Sequence, residues 1–305
     1  MALNKINFAP IALFAFNRLE HTRNALKSLS TNPEFIFSPL IIFSDGPRND
    51  KDIQGVTKTR NFLHSFEHPN KRIIESRSNI GLANSIINGV TKLCDEYGRI
   101  IVLEDDLVVS NSFLHFMNQA LKNYEFDSRV ISIHGYSFPI SNLPDTFFLR
   151  ATGSWGWATW KSGWDLFEPD GRILYLMLEK KGAFKAFNFN NSFNYKKMLL
   201  DQIKGKNDSW AVRFYASAFL NNKLTLHPGK SFVFNNGFDS SGSHCWSINR
   251  FDSNISNKKL TIRNIKITEN FEVRKAWETF LNNSKINIYS RIKFKIKRLI
   301  KKFYE

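Results

Sequence analysis

The chain has 305 residues, 42% of them hydrophobic, and a net charge of +16 from 43 basic and 27 acidic side chains. That length allows one large α/β domain or two small ones with a real apolar core, and the charge favours anionic partners without bearing on fold. Two cysteines form neither a disulfide framework nor a metal-ligand spacing, no apolar run approaches the ~20 residues of a membrane span, and no secretory leader is visible, so a reducing, cytosolic setting is expected.

Residues 11–16 form a continuous apolar run that reads as a buried strand, ended by Asn17 and Arg18. Leu19, Ala25, Leu26 and Leu29 then recur at helical spacing. Residues 40–43 predict a second strand, closed by the Ser-Asp-Gly-Pro turn at 44–47. A polar helix over 53–66 leads to a short third strand at 72–74. Leu82, Ile86, Val90 and Leu93 fall on one stripe of a helix spanning 81–97. A fourth strand at 100–103 runs directly into Glu104, Asp105 and Asp106, and Asn111 is placed to cap a helix reaching Tyr124. Residues 130–133 form a fifth strand. Strands alternating with helices across short turns predict a parallel sheet of βαβ units over residues 1–135. Such sheets gather ligands beyond the carboxyl ends of their strands. Asn17, Arg18, Asp45, residues 77–81 and the acid triplet are therefore expected along one edge.

Three adjacent carboxylates repel one another and are tolerable only in water or around a cation. Mg²⁺ or Mn²⁺, held by one or two of them with phosphate oxygens, fits, and would neutralise a leaving diphosphate. An acidic lead-in to the following helix is the plainer alternative. Arg77 could pair with a phosphate, and Gly81 permits close backbone approach at a helix N-terminus, although an ordinary turn would look the same. Asp45 either accepts hydrogen bonds from a nucleobase or serves its turn.

Past Pro139 the composition changes. Trp155, Trp157, Trp160 and Trp164 lie within ten residues; they could stack on sugar rings, but at least two are expected in the core. Asp208, ahead of Trp210, is the candidate general base, unless Asp208 or Ser209 merely caps a helix over 211–220. Residues 224–226 read as a short strand, and the Gly-, Ser- and Asn-rich run 234–245 as a mobile loop. There His244 is either a further metal ligand or a surface histidine. Near the end, Ile292, Ile296, Leu299, Ile300 and Phe303 recur at helical spacing among Lys and Arg. A helix lying on an anionic membrane has that pattern, as does a solvated basic tail.

Phe16-Asn17-Arg18, Ser44-Asp45-Gly46, Arg-Ser-Asn-Ile-Gly-Leu-Ala at 77–83 and Val-Leu-Glu-Asp-Asp at 102–106 come in a familiar order. They are followed by Ser-Trp-Gly-Trp-Ala-Thr-Trp at 154–160, Asp208-Ser209-Trp210 and the run 235–245. The ordered set resembles bacterial nucleotide-sugar-dependent glycosyltransferases of the GT-A type, the family-2-like group, and is similar in layout to N-acetylglucosaminyltransferase I. The resemblance spans residues 9–246. It implies an α/β GT-A fold, with a Rossmann-like nucleotide-sugar-binding half at 1–135 on a mixed, mostly parallel sheet. An acceptor-binding and catalytic half at 136–250 and a basic tail at 251–305 would follow.

The resemblance also implies roles. Asp106 would be the metal ligand for Mn²⁺ or Mg²⁺, joined by Asp105 and His244. Phe16, Asn17, Arg18, Asp45, Arg77, Asn79, Gly81, Glu104 and Asp105 would hold the donor, with Asp45 facing the base. Asp208 matches the base of the inverting branch, while Ser209 stands where eukaryotic relatives often carry a second acid. Trp155, Trp157, Trp210, Asn236, Gly237 and Ser241 would contact acceptor or form the lid. The implied activity is inverting transfer of a hexosyl or N-acetylhexosaminyl group from a UDP-sugar to a hydroxyl of a surface glycan, such as lipopolysaccharide or capsule. The setting would be cytoplasmic, peripheral on the inner face of the membrane through the basic tail, with a glycan or lipid-linked glycan acceptor and no nucleic acid. Two rivals are weighed against it. A sugar-phosphate nucleotidyltransferase should carry a Gly-rich, Lys-containing loop near the N-terminus, which residues 14–18 lack. A non-catalytic glycan-binding protein has no need of three acids at a strand end.

Overall fold

A computed structural model describes residues 8–237, 251–263 and 265–284. The first part follows the expected alternation. β1 (Ile11–Ala15), α1 (Leu19–Leu29), β2 (Leu40–Ser44), α2 (Asp50–Ser65), β3 (Lys71–Glu75), α3 (Leu82–Tyr97) and β4 (Arg99–Glu104) succeed one another. The four strands pair in parallel in the order β3-β2-β1-β4. β1 and β2 are buried along their whole length, which is why they read as unbroken apolar runs: a parallel strand covered by helices has no wet face. α3 ends on Gly98 at φ 76°, whose N–H reaches back to Cys94 O at 2.9 Å.

β5 (Leu107–Val109), α4 (Phe113–Tyr124), β6 (Val130–His134), β7 (Thr146–Leu149) and β8 (Trp157–Trp160) come next. Ser112, not Asn111, occupies the cap position of α4, and neither side chain bonds a first-turn N–H. The helical stretch α5 (Lys161–Trp164), α6 (Gly171–Lys180), α7 (Phe184–Phe187), α8 (Tyr195–Ile203) and α9 (Trp210–Leu220) leads to β9 (Leu224–Pro228), β10 (Val233–Asn235) and α10 (Phe271–Asn283).

The complete sheet runs β3-β2-β1-β4-β8-β6-β9-β7, with β5 and β10 forming a separate antiparallel pair. β8 enters antiparallel between β4 and β6, and β7 runs antiparallel to β9. The expected fifth strand, β6, thus points with the parallel set but is not beside β4. Six of the eight strands share one direction, giving the mixed, mostly parallel α/β architecture that the sequence implies. The two expected halves share this one sheet, because β8 of the second lies inside the first.

Helices cover both faces. Leu26 and Leu29 of α1 pack with Phe113, Phe116 and Leu121 of α4 on one side. Ile86, Val90 and Leu93 of α3 pack with Trp210 and Phe214 of α9 on the other. A third cluster joins Leu174 and Leu178 of α6 to Val273, Trp277 and Leu281 of α10. Described residues of the stretch expected as a basic tail from residue 251 join the core. Leu260 and Ile262 enter the first core, α10 buries the i, i+4, i+8 stripe of Val273, Trp277 and Leu281, and Phe148 bridges Glu269. The proposed membrane-surface helix at 285–305 lies outside the described residues, among which no helix is long and apolar enough to cross a membrane.

Candidate active site

The parallel strands end level with one another. Asp105 N–H donates to Phe14 O, Asp45 N–H to Ala15 O and Ser76 N–H to Ser44 O, each at 3.0 Å. This sets the acid triplet, the 44–47 turn and the 76–81 loop on a single edge, as the topology predicts.

Side chains alternate along β4. Ile100 and Val102 belong to the α3 layer, Ile101 and Leu103 to the α1 layer. Continuing the alternation turns Glu104 toward α3 and Asp105 toward Arg18, the residue before α1. The Arg18 guanidinium forms a close ion pair with Asp105 and reaches Asp106 Oδ2 at 3.2 Å. Phe16 N–H donates to the other Asp105 oxygen at 3.3 Å. Burial alone would lower the Arg18 pKa; the charges of Asp105 and Asp106 more than offset it and hold the group above its ordinary value. Asp105 is buried, and burial pushes it up to about 6 against the pull of Arg18, with Asp106 adding to the rise. Glu104 is raised well above the usual carboxylate range, first by burial and then by Asp106 and Asp105.

Three carboxylates and one guanidinium leave an excess of negative charge, and all the donors are hard oxygens. That chemistry fits Mg²⁺ or Mn²⁺. Both Asp105 oxygens are engaged, whereas Asp106, with 15% of its side chain exposed, could hold the ion. Among the described residues no three His, Cys, Asp or Glu side chains make a preformed cage, so donor phosphate and water would complete the shell.

The β5–β10 pair carries the chain back to Asp106. Asn235 pairs with Leu107, and Asn236 N–H donates to Asp106 O at 2.8 Å. A Cβ on Gly237 would stand 2.5 Å from Asp106 Oδ2. Asn236 and Gly237, expected in a lid, thus lie against the acid itself. Ser241 and His244 lie outside the described residues.

Asp45 departs from the expectation that it faces a base. It is buried, its Oδ1 accepts the N–H groups of Gly46 at 2.8 Å and Ile80 at 3.0 Å, and its Oδ2 accepts Gly81 N–H at 3.1 Å. A carboxylate spent on three amides shapes the loop. Asn79 adds a bond to Gly46 O at 3.0 Å, and a Cβ on Gly46 would come within 2.6 Å of the Ser78 backbone. Gly81 sits at φ 82°, a conformation that favours glycine. Arg77 is exposed on this loop.

Opposite Gly81 stands Asp208, whose Oδ2 would be 3.8 Å from a Cβ there. Ser209 Oγ accepts Val212 N–H at 3.2 Å and caps α9, so Asp208 is not spent on the cap. Arg213 donates to the carbonyls of Asp208 and Ser209, both at 3.2 Å, and of Pro169 at 2.9 Å, fixing the backbone behind the carboxylate. Ala83, Asn84, Gln202 and Asn207 line the depression beside it.

Other expected site residues sit elsewhere. Trp157 and Trp210 are buried and packed on each other at 5.1 Å, so neither ring can meet a sugar; Trp160 and Trp164 are also core. Trp155 is partly buried, edge-on to Tyr136 at 4.6 Å. Asn17 donates to Asp52 Oδ1 at 2.7 Å and ties β1 to α2 rather than to a ligand. The Phe16 ring lies beneath Arg48, 5.0 Å from its guanidinium carbon. Arg48, right after the Asp-Gly-Pro turn, pairs its guanidinium with both Asp52 oxygens at 2.8 and 3.0 Å.

Solved structures to which the chain is similar include S. aureus TarS 1-349, with TM-score 0.42, 11% identity and coverage of 74% of this chain and 60% of that one. The mannosyltransferase PcManGT from Pyrobaculum calidifontis, in complex with GDP-Man and Mn²⁺, gives 0.35 at 11% identity over 60% and 50%. Mouse xyloside xylosyltransferase 1 gives 0.38 at 10% identity over 70% and 80%. The chain thus spans about half to three fifths of the first two. No protein-family model and no curated protein matches the sequence.

Proposed function

We propose that the chain is a metal-dependent glycosyltransferase of the GT-A type, moving a sugar from a UDP-sugar to an acceptor hydroxyl with inversion. The acceptor proposed is a surface glycan, such as lipopolysaccharide or capsule, met at the inner face of the membrane. The supporting observation is that two kinds of carboxylate border one strand edge. Asp105 and Asp106 are held by Arg18, and Asp208 stands beside Gly81 on a loop that Asp45 fixes.

In this reading the acceptor oxygen attacks the anomeric carbon as the bond to the β-phosphate oxygen breaks. Asp208 takes the hydroxyl proton. Negative charge grows on the departing diphosphate; Asp106 would hold a divalent ion, which would supply neutralisation of that charge. Arg18 keeps Asp106 in position, and Gly237 leaves its oxygen room. One displacement with one base inverts the anomeric centre.

Nucleotide release from a panel of nucleotide sugars, with and without Mn²⁺, tests this. One UDP-sugar is expected to release nucleotide only with divalent metal, and Asp208→Asn to slow transfer by about 10²–10⁴-fold. No release from any donor would overturn the activity, metal-independent release the role of Asp106, and undiminished transfer in Asp208→Asn the base.

A further inference from the structure

Residues 171–206, from α6 to the turn before α9, hold eight Lys and Arg against two acids, Glu179 and Asp201, a net +6 of the chain's +16. Their charge meets an apolar surface. Leu174 and Leu178 bury one face of α6 in the third core cluster. On the other face Ile173, Leu176 and Met177 are 45%, 62% and 44% exposed. Their i, i+3, i+4 spacing makes one stripe, which Lys180 extends by a turn. A helix apolar on both faces belongs in an interior; α6 has one of them open. Scattered exposed apolar residues are ordinary, but three on one stripe, continued by Lys180 in so basic a segment, mark an interaction surface, beside which Arg172 is paired with Asp170.

Charge and polarity together select the occupant. The basic run 285–305 or a second copy of this chain would bring positive charge to positive charge. A nucleic acid would answer the cations and leave the stripe in water. An anionic lipid surface answers both, with headgroups at the cations and Leu176 in the acyl boundary. We propose that the outer face of α6 is a membrane-docking surface for anionic lipid, separate from the run 285–305. The contact itself does not depend on glycosyl transfer. Its bearing on the acceptor rests on the function proposed above: Gly171, at the start of α6 and on its buried face, packs on Gln202, which lines the depression with Asp208.

The test is co-sedimentation of the full chain with phosphatidylcholine vesicles, with and without about one third phosphatidylglycerol. The triple variant I173S/L176S/M177S and the charge variant K180E/K185E are expected to bind anionic vesicles at least about tenfold more weakly, with unchanged circular dichroism and unchanged nucleotide release from soluble donor. L176W, which cannot fail for want of folding at so exposed a site, should bind at least as well and shift its fluorescence to the blue on anionic vesicles. Wild-type binding by the triple variant, an unshifted L176W spectrum, or equal binding to neutral vesicles would each overturn the proposal. So would RNA binding that the triple variant loses in parallel.

Discussion

Asp45 Oδ2 accepts the backbone N–H of Gly81 at 3.1 Å, and Gly81 in turn faces the Asp208 carboxylate. A buried acid at the end of β2 thereby shapes the slot at the start of α3. Asp45→Asn replaces one acceptor oxygen by an amide donor aimed at N–H groups. The expected cost is about 1–3 kcal/mol of stability, read as a lower urea midpoint, together with a loss of transfer rate. An unchanged midpoint with only weaker nucleotide affinity would return Asp45 to reading the base.

Gly237 offers a sharper probe of Asp106. A methyl at this position would meet Oδ2 at 2.5 Å, so either the acid or the 236–237 turn must move. Displacements near 1 Å cost on the order of 100-fold in rate. Gly237→Ala is expected to lower metal-dependent nucleotide release by at least about tenfold and to raise the Mn²⁺ concentration needed for half-maximal rate. Initial rates across a Mn²⁺ titration check both; wild-type rates would show that Asp106 does not act from the position it holds here.

Much of this edge was legible because parallel strands bury both faces and leave apolar runs that end abruptly at polar residues. Ile11 to Ala15 before Arg18, and Ile100 to Leu103 before Glu104, are of that kind. The antiparallel insert was not legible: Trp157-Ala158-Thr159-Trp160 has no alternation to separate a strand from a stacking motif, and only its pairing with both β4 and β6 decides. The closeness of Gly237 to Asp106 is not visible in the sequence, because it depends on pairing three residues of β10 with three of β5, far away in the chain. Asp208 and Ser209 are equally good caps by type, and the Val212 N–H chooses Ser209. Asp45 was open between turn and base for the same reason, since a short acid after a strand suits either.

Arg18 tests whether the acid pair is held or merely crowded. Losing the guanidinium leaves Asp105 buried beside Asp106 with no opposite charge from α1. Breaking a buried pair costs about 3–5 kcal/mol, and Arg18 keeps 21% of its side chain exposed, so about 2–4 kcal/mol is expected for Arg18→Met. R18M/D105N should recover part of that loss, because the stranded charge goes too. Urea unfolding of both variants decides; a double variant less stable than the single one would mean that Asp105 serves a partner other than Arg18.

The neutral histidine pair formed by His134 of β6 and His227 of β9 makes stability depend on pH. His134 Nδ1 lies 3.3 Å from His227 Nδ1, and His227 Nε2 meets Ala151 O at 3.0 Å. The carbonyl requires a proton on His227 Nε2, so His227 Nδ1 accepts and His134 Nδ1 donates. Burial lowers both pKa values: His134 well below its ordinary value, helped by the charge of His227, and His227 to about 4 despite the Ala151 bond. In the unfolded chain both titrate near ~6.5. Between that pH and about 4 the unfolded state therefore binds more protons, and stability falls as pH falls, by about 1.4 kcal/mol per unit for each histidine. Above pH ~6.5 their contribution is complete. Asp105, raised to about 6, acts in the opposite sense over the same range, so the comparison that isolates the pair is wild type against His227→Gln. Urea midpoints at about pH 7.5 and 5 should decline less in the variant, by about half of the histidine slope; equal declines in the two proteins would place the pair in water or in a charged form.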